Sequence, residues 1–165
     1  MKTMDVKPNV SKQKLLTINR VLNLSLKSVW KAWSEPESFK KWWGPNDYTC
    51  PYCEIDFSIG GKYLADMKGP DGKETWSTGQ YMEIIPLKKI VYSDSFSDDK
   101  GNKLSANDVG MPGDWPLESK VTVELEEKNG KTSMRLVHEG IPEEMKADCI
   151  TGWQQCFDKM ETKLT

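Results

Sequence analysis

The sequence predicts an α+β fold, in which a bent antiparallel sheet of about seven strands wraps around one long C-terminal helix, with two short helices after strand one. Three patterns support this prediction. Residues 29–45 have apolar side chains at helical spacing with a break in the middle. Residues 53–139 mostly alternate between apolar and polar side chains, as strands do, and residues 148–164 return to helical spacing.

The first strand is predicted within residues 15–24, and Ser25 is the predicted N-cap of the first short helix. Residues 29–45 contain four of the seven tryptophans, and aromatic or apolar side chains four positions apart share a helix face. Residues 34–37, Ser-Glu-Pro-Glu, predict a second helix that begins with a capping box and an early proline. Gly44 followed by proline predicts its end.

Most of the sheet follows from alternation and turn signals. Residues 53–67 predict one long strand that bends at Gly60 and Gly61, and the turn sequence of residues 69–72 predicts a hairpin. The next strands are predicted at 74–85, with Met82 and Ile84 on one face, at 88–96, at 118–128 and at 131–139. The last two strands are joined by Asn-Gly, the strongest two-residue hairpin signal.

Residues 97–116 show neither period, so they form either an ordered lid or a loose connection. Asp148 is the predicted cap of the C-terminal helix. One apolar face of that helix consists of Cys149, Trp153, Cys156, Phe157, Met160 and Leu164. Because no other element is long enough to cover this face, the sheet is expected to wrap around it and to leave a cavity.

Length and composition predict one domain at residues 13–165 after a flexible tail at 1–12. With 23 basic and 25 acidic residues, the chain lacks the basic surface typical of nucleic-acid binding. No apolar run reaches the ~20 residues of a membrane span, and no secretory signal is evident. We therefore expect a cytoplasmic protein whose four cysteines are reduced thiols.

Two motifs carry possible chemistry. Cys50 and Cys53 form a CxxC pair, a weak candidate for zinc or redox function, because a structural zinc site needs four ligands and only Cys149 and Cys156 remain to complete it. His138 shares the inward face of the last predicted strand, so it is either a general base or a hydrogen-bonded structural residue. The expected cavity residues are Phe39, Trp42, Phe57, Tyr63, Trp76, Met82, Tyr92, Trp115, Val123, Met134, His138, Trp153 and Phe157.

Four segments in this order, VWKAWSEPESFKKWWGP, EIDFSIGGKYLADMKGPDGK, GKTSMRLVHEGIP and GWQQCFDKMETKL, resemble the START-like helix-grip (SRPBCC) superfamily. Within it the chain is most similar to the activator of heat-shock protein 90 ATPase homologue family, C-terminal-type domain, over about residues 15–164. The resemblance implies the helix-grip fold and a hydrophobic cavity between the sheet and the C-terminal helix. Superfamily members are typically small ligand-binding proteins, with some cyclases and hydroxylase subunits among them.

Three functions are therefore expectations. The first is a cytoplasmic binding protein for a small hydrophobic or amphipathic molecule, without a cofactor, as a monomer or homodimer. The second is a cyclase- or hydrolase-type enzyme in the same cavity. The third is a chaperone-regulating module. The co-chaperone that names the family has a separate N-terminal domain, whereas about fourteen residues precede the first strand here, which speaks against a heat-shock protein 90 role.

Overall fold

The computed structural model describes residues 15–164, so the predicted tail at residues 1–12 lies outside the described part of the chain. The elements follow in chain order: β1 Leu16–Leu22, α1 Leu26–Ser34, α2 Pro36–Phe39, β2 Cys53–Ile55, β3 Lys62–Lys68, β4 Glu74–Ile85, β5 Lys89–Ser97, β6 Lys103–Leu104, β7 Ser119–Lys128, β8 Lys131–Glu139, a 3₁₀ turn Glu143–Met145, and α3 Lys146–Lys163.

The strands form one antiparallel sheet in the order β1-β8-β7-β5-β4-β3-β2, and the short β6 pairs with β5 beyond the end of β7. Helix α3 buries Trp153, Cys156, Phe157 and Met160, the apolar face that its spacing predicts. The predicted α+β helix-grip architecture is confirmed. Among the described residues, no helix is both long and apolar enough to cross a membrane.

The two short helices follow the prediction except at the start of α2. Ser25 caps α1, since its Oγ accepts a hydrogen bond from the Ser28 N–H at 3.1 Å. The predicted capping box of α2 is wrong: the N-cap is Glu35, which makes no side-chain cap bond. Ser34 still belongs to α1, and its hydroxyl donates to the carbonyl of Trp30 one turn back instead.

The single kinked strand predicted for residues 53–67 is also wrong. The segment forms two strands, β2 and β3, that pair with each other as a hairpin. Gly60 has a φ of +87°, and a Cβ on Gly61 would lie 2.1 Å from the Asp56 carbonyl oxygen, so the two glycines permit a tight reversal rather than a bend. Ile59 lies at the tip and is 69% exposed.

The hairpin of β4 and β5 contains a β-bulge that alternation alone does not reveal. The register shifts between Tyr81 and Glu83. Tyr81 continues the inward alternation of Gly79 and is buried, and Met82 next to it faces the outer side of the sheet and is 51% exposed. The extra residue of the bulge then returns Ile84, opposite the buried Ile90, to the inner face. The prediction that Met82 lies on the inner face with Ile84 is wrong for this reason.

Two turns in the C-terminal half set the hairpin of β7 and β8 and the start of α3. Asn129 and Gly130 have φ values of 55° and 79°, the backbone that a two-residue hairpin requires, and they join β7 to β8 as predicted. Helix α3 begins earlier than predicted: the 3₁₀ turn leads into Lys146, Met145 is the N-cap, and Asp148 lies within the first helical turn. Asp148 is therefore not the cap.

Polar contacts fix α3 against the rest of the fold. Arg20 on β1 donates to the Gln154 side chain at 2.8 Å and pairs with Asp158 and Glu161 at 2.7 and 2.5 Å. On the other side, Lys159 Nζ donates to three carbonyl oxygens in the segment that follows α2, those of Gly44, Pro45 and Tyr48. These contacts hold α3 to β1 on one side and to the segment after α2 on the other.

Replacement of Arg20 by methionine is expected to lower the free energy of unfolding by roughly 1–2 kcal/mol, because a half-buried guanidinium with three side-chain partners contributes more than an exposed pair. The matched control is Arg135→Met, since Arg135 is 52% exposed and its ion pair with Glu124, at 3.5 Å, lies on the surface. Its cost should stay below about 1 kcal/mol in the same urea titration. Equal losses for the two variants would contradict the role given to Arg20.

Candidate functional site

Aromatic rings fill the space between the sheet and α3, where the sequence predicts the cavity. The Trp33 ring centroid lies 4.8 Å from that of Trp42, 6.1 Å from that of Trp153 and 6.4 Å from that of Phe157. A void of about 10 Å³ borders this cluster, between the two short helices and strands β3 to β5. A void of that size is at the lower limit for a single water molecule. Under α3 itself, the packed rings of Trp33, Trp153 and Phe157 close the grip of the helix. The void is lined by Trp33, Phe39, Trp43, Tyr63, Tyr81, Ile90 and Tyr92.

The open space lies farther along the same inner face. A cavity of about 130 Å³ is enclosed by β3, β4 and β5, by Trp43 after α2, and by residues 115–117 of the long connection. No residue of α3 lines it. Its lining residues are Trp43, Met67, Thr75, Ser77, Asp94, Ser95, Phe96, Trp115, Pro116, Leu117 and Ser119.

Small side chains on β4 create this cavity. The inward positions of β4 are Thr75, Ser77 and Gly79, which stand between the larger Met67 of β3 and Phe96 of β5. Opposite residues of antiparallel strands share a face, so Thr75 lies beside Met67 and Ser77 beside Phe96. The small side chains of β4 therefore leave a depression in the inner face of the sheet, between β3 and β5.

Asp94 is the one ionisable side chain among the residues that line the cavity. Its Oδ1 accepts a hydrogen bond from the Tyr63 hydroxyl, whose ring crosses over Gly79 to reach it. A Cβ at Gly79 would lie 2.7 Å from the Tyr63 ring and 1.7 Å from the Ser93 carbonyl oxygen, so only glycine fits. Burial raises the pKa of Asp94, an effect that the Tyr63 hydrogen bond opposes.

His138 lies behind Asp94 and is held from both sides. The Trp153 indole N–H donates to His138 Nδ1 at 3.2 Å, so the ring proton of the neutral imidazole is on Nε2. Nε2 lies 3.1 Å from Ser119 Oγ and 3.7 Å from Asp94 Oδ2. Burial lowers the pKa of His138 to about 4, so the ring is neutral near pH 7.

This arrangement differs from a nucleophilic triad. A general base needs a free lone pair toward the serine, but His138 presents its Nε2 proton to Ser119. Ser119 in turn donates its hydroxyl proton to the backbone carbonyl of Asp94 at 3.2 Å. The carboxylate also lies on the Nε2 side rather than behind Nδ1. The geometry therefore favours a structural role for His138.

The family described as Activator of Hsp90 ATPase homolog 1-like protein matches residues 23–165. The chain belongs to this family. Its fold is that of a START-like helix-grip domain, a fold that occurs in ligand-binding domains. No match was found among curated proteins.

Solved structures share the fold of this family member at low sequence identity. A Chromobacterium violaceum protein is 25% identical with a TM-score of 0.73, over 92% of this chain and 96% of that one. A Mycobacterium smegmatis protein is 21% identical with a TM-score of 0.75, over 93% and 92%. The AHSA1 protein from Silicibacter pomeroyi is 20% identical with a TM-score of 0.71, over 91% and 96%.

The residues that the sequence predicts for the cavity lie at several different places in the structure. Trp115 lines the cavity, and Tyr63 supplies its hydroxyl to Asp94. Phe39 and Tyr92 border only the small void, and Phe57 packs between Trp30 and Tyr81. The remaining inner-face candidates are buried in the core away from the cavity: Trp42, Val123, Met134, His138, Trp153 and Phe157.

Trp76 and Met82 lie on the other side of the sheet. Trp76 follows Thr75 and precedes Ser77, so alternation turns it outward, and its ring packs against Tyr52 at 5.7 Å. The interpretation of Trp76 as a cavity residue overlooked this parity. Met82 has the same parity as Trp76 and faces outward with it, whereas the bulge places Ile84 on the inner face.

Sequence reasoning missed the other lining residues, which are Trp43, Met67, Thr75, Ser77, Asp94, Ser95, Phe96, Pro116, Leu117 and Ser119. A signal for the most important of them is present in the sequence. Asp94 has the parity of Tyr92 and Phe96, so a carboxylate stands on an otherwise aromatic inward face. Small residues at alternate positions of β4, Thr75, Ser77 and Gly79, are the second signal.

The CxxC pair shows the properties of buried thiols. Cys50 is buried and its thiol donates to the Tyr52 carbonyl at 3.3 Å. Burial raises the pKa of Cys50 to about 11 and that of Cys53 to about 12, which disfavours the thiolate that redox chemistry or zinc binding requires. Within residues 15–164, no cluster of three or more His, Cys, Asp or Glu side chains has the arrangement to hold a metal ion.

Gly79→Ala is expected to lower the free energy of unfolding by roughly 2 kcal/mol or more, because the new Cβ overlaps the Ser93 carbonyl and the Tyr63 ring. Gly152→Ala in α3 is the matched control, since a Cβ there meets no atom within 4 Å. Alanine should stabilise that helix by about 0.5–1 kcal/mol. Chemical denaturation measures both, and a neutral Gly79→Ala would show that the Tyr63 ring does not cross that position.

The low pKa of His138 makes stability depend on pH. Its pKa is about 4 when folded and about 6.5 when unfolded, so its stabilising contribution is complete above pH 6.5 and is lost as pH falls toward 4. The full difference corresponds to roughly 3 kcal/mol.

His138→Gln should therefore flatten the fall in unfolding free energy between pH 6.5 and 4, measured by urea titration at each pH. Asp94, whose pKa is raised, contributes in the opposite direction and is present in both proteins, so the difference between the two curves isolates His138. Parallel curves for wild type and variant would contradict the assignment.

Proposed function

We propose that this family member is a START-like binding protein that holds one small amphipathic molecule in the cavity between β3, β4, β5, Trp43 and residues 115–117. The carrying observation is the Asp94 carboxylate at the base of a recess whose walls are otherwise mostly apolar. A largely apolar recess with few convergent polar groups, one of them with a shifted pKa, is typical of ligand sites.

Cavity size limits the ligand. A volume of about 130 Å³ is close to that of engineered cavities of roughly 150 Å³ that accept benzene. Pockets for drug-sized molecules are larger, about 300–1,000 Å³. The ligand that this cavity takes without rearrangement is therefore a molecule with one ring or an equivalent aliphatic chain.

The long connection supports this proposal because it forms an ordered side of the cavity. The Trp115 indole N–H donates to the Pro112 carbonyl at 2.8 Å, and its ring meets Phe96 edge to face at 5.6 Å. Pro116 packs so closely on Gly140 that a Cβ there would lie 2.8 Å from the Pro116 ring. Of the two readings of residues 97–116, we infer the lid.

Binding is favoured over catalysis by the composition of the recess. Asp94 is the one ionisable group among the described residues that line it, and Ser119 is committed to His138 and the Asp94 carbonyl. Hydrolysis or cyclisation by general acid–base chemistry usually needs a second positioned group. The four cysteines are free, which supports the cytoplasm as the compartment of this binding protein.

Thr75→Phe tests the proposal, because it places a ring inside the cavity from an inward position of β4. Benzyl alcohol and phenol, titrated into wild-type protein, should shift the indole N–H signals of Trp115 and Trp43 in NMR spectra, with Kd on the order of millimolar. Thr75→Phe should abolish these shifts.

The matched control is Met82→Phe on the outer side of the same strand, which should bind both probes as wild type does. Absence of any localised shift in wild type would contradict the proposal. So would equal binding by wild type and a folded Thr75→Phe.

A further inference from the structure

Asp94 lines the cavity, and among residues 15–164 no lysine or arginine side chain is paired with its carboxylate. Oδ1 accepts the Tyr63 hydroxyl proton, whereas His138 Nε2 lies 3.7 Å from Oδ2, beyond hydrogen-bond distance. Among the described residues that line the cavity, none is lysine or arginine. The Asp94 side chain remains 23% exposed and is one of the residues that line the cavity.

Such a group is costly unless something compensates for it. A buried carboxylate with one hydrogen bond and no counter-charge loses most of its solvation, and interior charges in proteins are normally paired. The neighbouring imidazole is neutral, so it supplies a dipole rather than a charge. A cation that enters with the ligand provides the missing partner.

The remaining walls suit the same kind of ligand. Trp43, Phe96 and Trp115 present aromatic rings around the recess, and Met67 adds an adaptable apolar surface. Aromatic faces attract cations as well as apolar groups. A charge held at Asp94 is thus surrounded by rings that tolerate it, and the rest of the ligand meets apolar surface.

We propose that the ligand is a small primary amine, bound as its ammonium form, with the ammonium group at Asp94 Oδ2 and an apolar body of about one ring against Phe96, Trp115 and Met67. This inference rests on the proposed function, because it names the ligand class of the same cavity. The ammonium donates one hydrogen bond to Oδ2, and the lining also carries the hydroxyl groups of Thr75 and Ser77, of which Ser77 is hydrogen-bonded to Tyr63.

Two other ligand classes fit less well. A carboxylic acid would place a second negative charge beside Asp94, which is unfavourable in a site of low dielectric constant. A neutral alcohol fits the volume and donates one hydrogen bond, but it leaves the charge of Asp94 uncompensated. The Asp94 carboxyl group should therefore select among isosteric molecules by charge, because a bound ammonium favours its ionised form.

Three probes of nearly equal shape test this selection: benzylamine, benzyl alcohol and benzoate. Their affinities are measured at pH 7 by calorimetry, and the indole N–H signal of Trp115 reports whether each probe occupies the cavity. In wild-type protein, benzylamine should bind at least about tenfold more tightly than benzyl alcohol, and benzoate should bind most weakly.

Asp94→Asn is the decisive variant, because asparagine keeps the shape and its carbonyl still accepts the Tyr63 hydroxyl proton. It should remove the preference for benzylamine while benzyl alcohol still binds. Asp99→Asn, an exposed change of the same charge on the connection after β5, is the matched control and should retain the wild-type preference. This control measures how much of the preference comes from the general attraction of amines to an acidic protein, whose pI is near 5.6.

The outcomes separate the two proposals. Equal or tighter binding of benzyl alcohol to wild type overturns the amine inference but supports the binding function. Benzylamine binding that persists in Asp94→Asn, or that leaves the Trp115 signal unchanged, also overturns the amine inference. If none of the three probes occupies the cavity of wild type, both proposals fail. Should Asp94→Asn not fold, the ranking of the three probes on wild type decides.

Discussion

The aromatic contact between α1 and α3 is the constraint on which the rest of the structure depends. Trp33 meets Trp153 and Phe157 of α3 on one side and Trp42 on the other, and the Trp42 indole N–H donates to the Ala32 carbonyl at 2.9 Å. Fully buried rings of this size contribute several kcal/mol each to folding. They also occupy the space that a bent sheet and its helix enclose, so the open volume moves to the end of the sheet nearest the long connection.

A polar chain couples that open end to the packed one. Tyr63 donates to Asp94, Ser119 joins the Asp94 backbone to His138, and Trp153 of α3 donates to His138. Each buried polar atom in this chain thereby gains a partner, which is the condition for placing it inside a fold. Asp94 is the exception at the cavity side, where one carboxylate oxygen is left for a ligand.

Gly79 permits this arrangement at the level of the backbone. Because Gly79 has no Cβ, the Tyr63 ring can approach β4 closely beside the Ser93 carbonyl, and its hydroxyl reaches Asp94 on β5. The same run of small residues, with Thr75 and Ser77, lowers the floor of the cavity. One strand with small inward side chains thus accounts for both the position of Asp94 and the space in front of it.

The fold was predictable from the sequence, whereas the site was predictable only in part. The predictions that rest on strong local sequence signals agree with the structure. Asn129-Gly130 forms a hairpin, Ser25 caps α1, and the spacing from Trp153 to Met160 gives the buried face of α3. The pattern failed where tertiary contacts decide. The bulge after Tyr81 put Met82 and Ile84 on opposite faces of the sheet, and Gly60-Gly61 made a reversal rather than a bend.

The cavity residues illustrate the same limit. Aromatic side chains were taken as candidates for ligand contact, but most of them fill the core because large apolar groups gain most from complete burial. The space itself arises where side chains are small, and a single sequence does not show which small inward residues lack a neighbour to fill the gap. Trp115, from the long connection, packs on Phe96 and lines the cavity.

Crystals of the protein under xenon pressure test the central claim directly, because xenon enters apolar cavities that are large enough and empty. The account predicts a xenon peak in the recess bordered by Met67, Phe96 and Trp115, and no peak between α3 and the sheet. A peak beside Trp33 and Trp153 under the helix, with none near Trp115, would contradict the closed grip and the displaced cavity.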